Sequence, residues 1–218
     1  MIHIYIVSLV EDIERRKHVL SLQKKIEDKH IQCTIVDAYY WKSHDIQQIL
    51  RERGFTYSYS VSLSQHACFL SHYKVWEMIS NTDPTTKSII IEDDMDLQDH
   101  IDIGELEKGL PSLYDYIYLW KHPEQVHNQP AADPTYPNVS PFYYTWGTTA
   151  YMITPMFAKE LLHIKDISMP IDQILLQTVL PNHIKNVYVS VKDYFKNLGF
   201  LGGSNYDSSC KFKSNIWD

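Results

Sequence analysis

The chain has 218 residues, 44% of them hydrophobic and 22% charged, a composition typical of a globular protein with a sizeable buried core. Its formal net charge of -7 lacks the basic footprint of proteins that bind duplex nucleic acid. The three cysteines, Cys33, Cys68 and Cys210, form no Cys-x-x-Cys pair. They therefore support neither a disulfide framework nor a structural zinc site, and they favour a reducing cytoplasm.

The first part of the chain predicts a β-α-β unit. Ile2 to Leu9 is a short apolar run rich in β-branched residues, which is typical of a buried strand and too short to span a membrane. The charged stretch from Asp12 to Lys29 carries apolar residues at helical spacing, and Gln32 to Val36 predicts a second strand. A strand, a helix and a strand joined this closely imply a parallel pair of strands.

Two helices are expected before the third strand. Asp45 to Arg53 predicts a short helix that Gly54 ends, and Ser64 is the expected N-cap of a helix running to about Ile79. Ser88 to Ile91 is a bare apolar run and predicts a buried strand. It stops abruptly at three acids, Glu92-Asp93-Asp94.

The second half continues to alternate strands and helices. We predict a helix at 105–110, strands at 116–120 and 148–154, helices at 156–163 and 170–180, and a last strand at 187–191. The segment 121–141 has five prolines and no periodicity, which leaves open a functional lid or an ordinary mobile loop. In the absence of a repeat or linker, the pattern predicts one α/β domain over 1–218 with a mixed, mostly parallel sheet.

The three carboxylates after the third strand are the sharpest chemical signal. Ligands of open α/β sheets bind beyond the carboxyl ends of strands, and adjacent acids repel one another unless a cation relieves the cost. Mg²⁺ or Mn²⁺ bridging carboxylates and substrate phosphates suits this pattern. If the strand continues, Glu92 and Asp94 share one face and Asp93 takes the other. The alternative is a solvated acidic turn.

Several segments, taken in order, resemble glycosyltransferase family 25, whose members modify lipooligosaccharides. The resemblance rests on residues 4–9, 15–16, 37–38, 63–72, 76, 89–94, 114–119, 147–153, 158–162 and 170–172. It extends to about Leu180, and Ser71-His72 ahead of the acidic strand end is its most specific part. The family has Gly-Glu where this chain has Gln65-His66, so no role carries over for that acid.

The resemblance implies a GT-A-like fold, with a Rossmann-like half for the nucleotide sugar at about 1–100 and an acceptor half at about 101–218. It also implies an inverting transfer of a hexose, usually galactose from UDP-galactose, to an acceptor sugar of lipooligosaccharide or lipopolysaccharide. We therefore expect a cytoplasmic enzyme, at most peripherally associated with the inner membrane face, with no nucleic-acid partner.

An in-line displacement needs a base for the acceptor hydroxyl and positive charge at the departing diphosphate. Asp172, which follows Pro170 at a predicted helix start, is the candidate base, although an Asp there is equally typical of a plain N-cap. Asp94 is the first candidate metal ligand, assisted by Glu92 or Asp93, and the expected cofactor is Mn²⁺ or Mg²⁺.

The other predicted site residues are grouped by the ligand that they would bind. The donor-binding residues are Ser8, Leu9, Arg15, Asp37, Ser71, His72, Glu92 and Asp93. The acceptor-binding residues, among which the aromatic rings suit sugar stacking, are Trp146, Thr148 and Tyr151. A turn or a phosphate-binding nest is predicted at 199–204, and Lys211 and Lys213 form a small basic tail.

Two other functions stay open on the sequence alone. A metal-dependent phosphoesterase could use the same acids, but it would need further His or Asp ligands that the spacing does not offer. A degenerate transferase would bind glycans or partners without turnover. Gln65-His66 leaves room for that interpretation, whereas the three acids at 92–94 argue against it.

Overall fold

The computed structural model describes residues 1–98, 103–121, 129–143, 145 and 147–198, without the side chains of 105–107. The strands are β1 (Ile2–Ser8), β2 (Gln32–Asp37), β3 (Thr56–Tyr57), β4 (Lys87–Glu92), β5 (Met95–Leu97), β6 (Tyr116–Tyr118), β7 (Val139–Pro141), β8 (Ala150–Ile153), β9 (Asp166–Ile167), β10 (Val187–Ser190) and β11 (Phe195–Asn197). The α-helices are α1 (Ile13–Glu27), α2 (Ile46–Glu52), α3 (Leu63–Ser80), α4 (Ile103–Lys108), α5 (Pro155–Leu161) and α6 (Ile171–Ile174).

Seven strands form one sheet in the order β2-β1-β4-β8-β6-β10-β7. The first three run parallel, with β1 between β2 and β4. Strand β8 is antiparallel to both β4 and β6, and β7 is antiparallel to β10, so five of the seven strands share one direction. The expected α/β class with a mixed, mostly parallel sheet is confirmed, because a Rossmann-like parallel half continues into a mixed half.

The sheet has a hydrophobic core on each face because its central strands are apolar on both sides. Ile90 of β4 packs into the core that contains α3 and Trp76. Its neighbours Ile89 and Ile91 pack into the opposite core, which contains α1. All three isoleucines are fully buried, and each stabilises the fold by roughly 1.5–3 kcal/mol. This packing holds the end of β4 rigidly where the acids begin.

Helix α3, which supplies one wall of the site described below, begins with a capping box. The Ser62 hydroxyl accepts a hydrogen bond from the Gln65 backbone, and the Gln65 side chain accepts one from the Ser62 backbone. The prediction that Ser64 caps this helix is therefore wrong, because Ser62 and Gln65 have the reciprocal spacing that satisfies two helix-end donors. Gln65 thus serves the start of the helix.

Three other expectations about local structure need correction. Strand β4 ends at Glu92, and Asp93 and Asp94 form a turn, so the condition under which Glu92 and Asp94 would share one face of the strand is not met. Strand β7 lies within the segment predicted as a loop. The predicted helix at 170–180 is α6 followed by a π-helical turn at Leu175–Val179 and a 3₁₀ helix at Leu180–Asn186.

Among the described residues, none of the helices combines the length and the hydrophobicity of a membrane-spanning segment.

Candidate active site

A pocket opens at the carboxyl ends of β1, β2 and β4, the edge where parallel strands place ligands. Its walls include α3, Arg15 of α1, the acids that follow β4, and an aromatic segment, Tyr39–Trp41, that follows β2. The predicted site residues that line it are Leu9, Arg15, Ser71, His72, Glu92, Asp93 and Asp94. The sequence therefore identified most of one wall of this pocket.

Asp93 is paired with Arg15 at the side of the pocket nearest α1. The Arg15 Nη1 donates to Asp93 Oδ1 at 2.6 Å, and the backbone N–H of Leu9 donates to Asp93 Oδ2 at 3.3 Å. Burial raises the pKa of the Asp93 carboxyl, and the Arg15 guanidinium opposes that rise. Both oxygens of Asp93 and the N–H of Leu9 are thus already engaged within the protein.

Glu92 faces α3 and is kept ionised by its neighbours. The Thr148 hydroxyl donates to Glu92 Oε1 at 3.1 Å, and His72 Nε2 lies 3.5 Å from the same oxygen. Burial alone would raise the pKa of Glu92, but His72, Thr148 and Arg15 outweigh burial and leave this pKa below its ordinary value. Glu92 therefore presents a negative charge to the pocket.

Asp94 is the acid whose negative charge is least compensated by neighbouring groups. Burial and then the negative charge of Glu92 raise its pKa to about 8. Asn197 of β11 donates to Asp94 Oδ2 at a long 3.4 Å, and in the part of the chain that the structure describes Oδ1 has no hydrogen-bond partner. A buried, unpartnered carboxylate oxygen beside other acids fits a hard divalent cation. The chemistry of Asp94 thus agrees with the role of metal ligand expected for it.

Helix α3 also positions the aromatic wall of the pocket. The Ser71 hydroxyl donates to the Ala67 carbonyl at 2.7 Å and accepts from the backbone N–H of Tyr39 at 2.9 Å. Ser71 is 2% exposed. Its contribution to the pocket is therefore to hold the Tyr39 backbone in place. It fastens the segment after β2 to α3.

His72 is held in place by two buried aromatic residues. Its Nδ1 lies 2.9 Å from the Tyr151 hydroxyl, and that hydroxyl accepts a hydrogen bond from Trp76 Nε1 at 2.9 Å. Tyr151 has no exposed surface and stacks on Tyr116, so it does not offer a ring face to an acceptor sugar. Thr148, also predicted to contact the acceptor, is buried and bonds to Glu92. Both residues support the site from behind.

Asp172 lies in the first turn of α6, whose N-cap is Pro170 without a side-chain cap bond. Its Oδ1 accepts from the backbone N–H of Gln173 at 2.9 Å, so the simple N-cap interpretation does not hold. Burial raises the pKa of Asp172, and Glu92 adds to that rise. Burial, Glu92 and Asp172 together raise the pKa of the Cys68 thiol on α3. Asp172 itself is not among the described residues that line the pocket.

The remaining predicted residues lie outside this group or outside the described chain. Ser8 is buried, with its hydroxyl directed to the Leu9 carbonyl. The Asp37 carboxylate pairs with Arg16 at 2.8 Å, and the pocket lining begins one residue later, at Ala38. Trp146, the turn predicted at 199–204 and the lysine tail lie outside the described residues.

Sequence reasoning missed two parts of the site. The aromatic segment Tyr39–Trp41 directly follows β2, so its position at a strand end was a usable signal. Cys68 precedes His72 by four residues on α3, a spacing that puts both side chains on one helix face. The ligand atoms of Cys68, His72 and Glu92 all lie within 4.8 Å of one another.

The family described as "Glycosyltransferase family 25 (LPS biosynthesis protein)" matches residues 1–175. The match spans the pocket, α3 and the acids after β4. The chain belongs to glycosyltransferase family 25.

Relatives within this family include both active and inactive proteins by name. The chain is 25% identical over 215 residues to procollagen galactosyltransferase 2 of Homo sapiens, a match that covers 89% of this chain and 32% of that protein. It is 24% identical to inactive glycosyltransferase 25 family member 3 of Mus musculus, covering 88% and 33%. The chain thus spans about a third of the length of these curated relatives.

Solved structures show a weaker likeness. A glycosyltransferase involved in glycosylation of the major capsid of PBCV-1 superimposes with a TM-score of 0.49 at 10% identity, covering 86% of this chain and 80% of that one. The protein A197 from STIV has the same TM-score and identity, covering 90% and 84%. Neither the fold nor the function of this chain rests on that likeness.

Proposed function

We propose that this protein transfers a hexose, galactose from UDP-galactose, with inversion onto an acceptor sugar of lipooligosaccharide or lipopolysaccharide. The observation that carries the proposal is the pocket at the ends of β1, β2 and β4, where acids, Arg15 and aromatic rings meet. The names of the galactosyltransferase relatives support the donor. The family description supports the acceptor class.

In this proposal the donor nucleotide occupies the pocket and residues 1–100 form the donor half. The aromatic segment Tyr39–Trp41 provides flat surfaces for the base and ribose, as rings do in other nucleotide sites. Ser71 keeps that segment against α3 through the Tyr39 backbone. Arg15, although paired with Asp93, keeps positive charge at the pocket wall. The donor half therefore supplies shape and charge.

The acceptor half, residues 101–218, supplies the base. Asp172 would accept the proton of the acceptor hydroxyl as that hydroxyl attacks the anomeric carbon. Its burial raises its pKa, and a carboxylate with a raised pKa is a stronger base than an exposed one. The Gln173 N–H fixes one of its oxygens, which limits the orientations of the carboxylate.

Asp94, with Glu92 beside it, would hold Mn²⁺ or Mg²⁺, and that ion would supply Lewis acidity to the leaving diphosphate. Thr148 and His72 hold Glu92 ionised behind the ligand position. Free Cys33 and Cys68 suit the reducing cytoplasm that we propose for the enzyme, acting at the inner face of the membrane.

The test is a donor panel of UDP-galactose, UDP-glucose and UDP-N-acetylglucosamine, with lipooligosaccharide as acceptor and with or without chelator. We expect UDP release and product with UDP-galactose alone, loss of both on chelation, and inverted anomeric configuration by NMR. UDP-galactose binding without turnover would instead support a degenerate binding protein. Hydrolysis of a phosphate ester would support a phosphoesterase.

Asp172→Asn separates the chemistry from binding. The change keeps the shape of the side chain but removes the basic carboxylate, so turnover should fall roughly 10²–10⁴-fold while UDP still binds. Asp166→Asn, an exposed acid on β9, is the matched control and should transfer normally. Normal turnover in Asp172→Asn would remove that residue from the mechanism.

A further inference from the structure

Three donor atoms of different chemistry meet at the floor of the pocket. Cys68 and His72 project from the same face of α3, four residues apart, and Glu92 reaches them from the end of β4. The Cys68 Sγ, a His72 ring nitrogen and a Glu92 oxygen lie within 4.8 Å of one another. A spacing of four residues on a helix is a common way to present two ligands to one ion.

The imidazole has the orientation of a metal ligand. His72 Nδ1 is taken up by the Tyr151 hydroxyl, and Trp76 and stacked Tyr116 hold that tyrosine in place. The other nitrogen, Nε2, is buried and makes no hydrogen bond among the described residues, although it lies 3.5 Å from Glu92. Metal-bound histidines ordinarily have their second nitrogen fixed in this way.

The carboxylate is supported equally well. Thr148 donates to Glu92 Oε1 at 3.1 Å from a buried position on the far side. Glu92 has a side-chain exposure of 21%, so the donor set is not sealed from the pocket. All three residues line the pocket. An ion among them would therefore have three protein ligands and one open direction.

We propose that Cys68, His72 and Glu92 form a Zn²⁺ site whose fourth coordination position opens into the pocket. Sulfur and nitrogen donors select Zn²⁺ or Co²⁺ over Mg²⁺ and Mn²⁺, which prefer oxygen. Three protein ligands with an open position are the pattern of reactive rather than structural zinc sites. The site differs from the one at Asp94 in its donor chemistry, and the two sites would share Glu92 as a ligand.

Binding has a simple proton balance. The Sγ–H bond of Cys68 breaks, an Sγ–Zn bond forms, and the proton leaves to solvent. His72 would bind through the lone pair of Nε2, and Glu92 through a carboxylate oxygen. No oxidant or reductant takes part in the step.

The probe is Co²⁺, which reports thiolate coordination by a near-ultraviolet charge-transfer band. The full chain with Cys33→Ser and Cys210→Ser keeps Cys68 as the single thiol among the three cysteines. We expect the band to saturate at one equivalent of Co²⁺, to disappear when Zn²⁺ is added, and to persist in excess Mg²⁺. Failure of this variant to give the band would overturn the proposal.

Further variants identify the ligands. Adding Cys68→Ser should abolish the band. A band that survives would show that Co²⁺ is bound elsewhere in the chain and not by Cys68. Glu92→Gln retains the thiol and should weaken Co²⁺ binding at least tenfold. Tyr151→Phe, which alters only the residue behind His72, should weaken it about tenfold. Unchanged affinity in both would refute the arrangement, and circular dichroism checks that each variant is folded.

UDP tests the open position. Its phosphate oxygens should bind the exposed side of the ion and change the visible Co²⁺ bands, while unchanged bands would show a closed site. The Co²⁺ measurements need no sugar transfer and no acceptor. A chain that binds Co²⁺ through Cys68 but transfers nothing, or the reverse, distinguishes failure of this proposal from failure of the proposed function.

Discussion

The acids on the two sides of the β4 end differ in how far the protein itself satisfies their hydrogen-bonding capacity. On the α1 side, Asp93 has both oxygens bonded, by Arg15 and by the Leu9 backbone. On the opposite side, toward α3 and β11, Glu92 faces an imidazole nitrogen without a hydrogen bond, and one oxygen of Asp94 is unpartnered among the described residues. One side is saturated by the protein itself, and the other retains unused bonding capacity.

The difference divides three carboxylates that look alike in the sequence into one whose oxygens are both bonded within the protein and two that lie beside atoms with unused bonding capacity. A buried polar group without a partner costs free energy, and natural proteins keep such groups where a ligand satisfies them. We infer that Asp93 stabilises the turn, whereas Asp94 and Glu92 serve ligands. Substitutions of groups on the two sides should therefore differ in their effects on stability and on ligand binding.

Arg15→Met should be the most damaging change. It leaves the buried Asp93 carboxylate without its cation, which costs about 3–5 kcal/mol of unfolding free energy. At about 2–4 °C per kcal/mol, the melting temperature should drop by roughly 6–20 °C. Calorimetry or urea unfolding measures this loss.

Two variants control for the loss of an arginine. Arg53→Met breaks an ion pair with Glu77 of similar length, 2.9 Å, between half-exposed side chains, and should cost at most about 1 kcal/mol. Arg15→Met combined with Asp93→Leu should be less destabilised than Arg15→Met alone. Equal losses for Arg15→Met and Arg53→Met would contradict the structural role of the Asp93 pair.

Asp94→Asn should stabilise the protein while it removes the proposed metal ligand. The pKa of Asp94 is about 8 in the folded chain, against 3.8 for its ordinary value. Between those pH values the folded state holds a proton that the unfolded state has lost, so stability falls as pH rises through this window. Asn stays neutral, so at pH 8 the free energy of unfolding of the variant should exceed that of the wild type.

Urea unfolding at pH 5 and pH 8, with chelator present, measures this effect. The wild type should lose more stability than Asp94→Asn between the two pH values, and Asp166→Asn should follow the wild type. Identical pH dependence in wild type and Asp94→Asn would show that Asp94 carries no such penalty. Transfer activity of Asp94→Asn should be lost despite its higher stability.

Ser71→Ala should have the smallest effect, mainly on the donor. The substitution removes the acceptor for the Tyr39 N–H, a loss of about 1 kcal/mol. We expect the UDP affinity, measured by calorimetry, to become several-fold weaker. Ser80→Ala is the matched control, because Ser80 also donates to a backbone carbonyl of its own helix, at 2.8 Å, but lies at the end of α3 away from the pocket. An equal loss of UDP affinity in both would argue against a role of Ser71 in the pocket.

The sequence predicted the parts that depend on local patterns. Apolar runs identified β1, β2 and β4, and the acids at the end of β4 placed one wall of the pocket. It could not predict the different partners of the three acids, because Arg15, His72 and Asn197 reach them from distant parts of the chain. The sequence could not decide whether Tyr151 contacts a sugar or packs in the core, because an aromatic residue suits both, and only its depth in the fold distinguishes them.

Strand β11 gives the site a late step in its assembly during synthesis. The Leu198 N–H donates to the Asp94 carbonyl at 2.7 Å, and Asn197 pairs with Met95 across the β5–β11 ribbon. The ribosome makes Asp94 about a hundred residues before the strand that contacts it, and contacts so distant in sequence form slowly. A nascent chain released before Asn197 would therefore contain the parallel strands and the acids but lack the hydrogen bonds from β11 and Leu198 to Asp94.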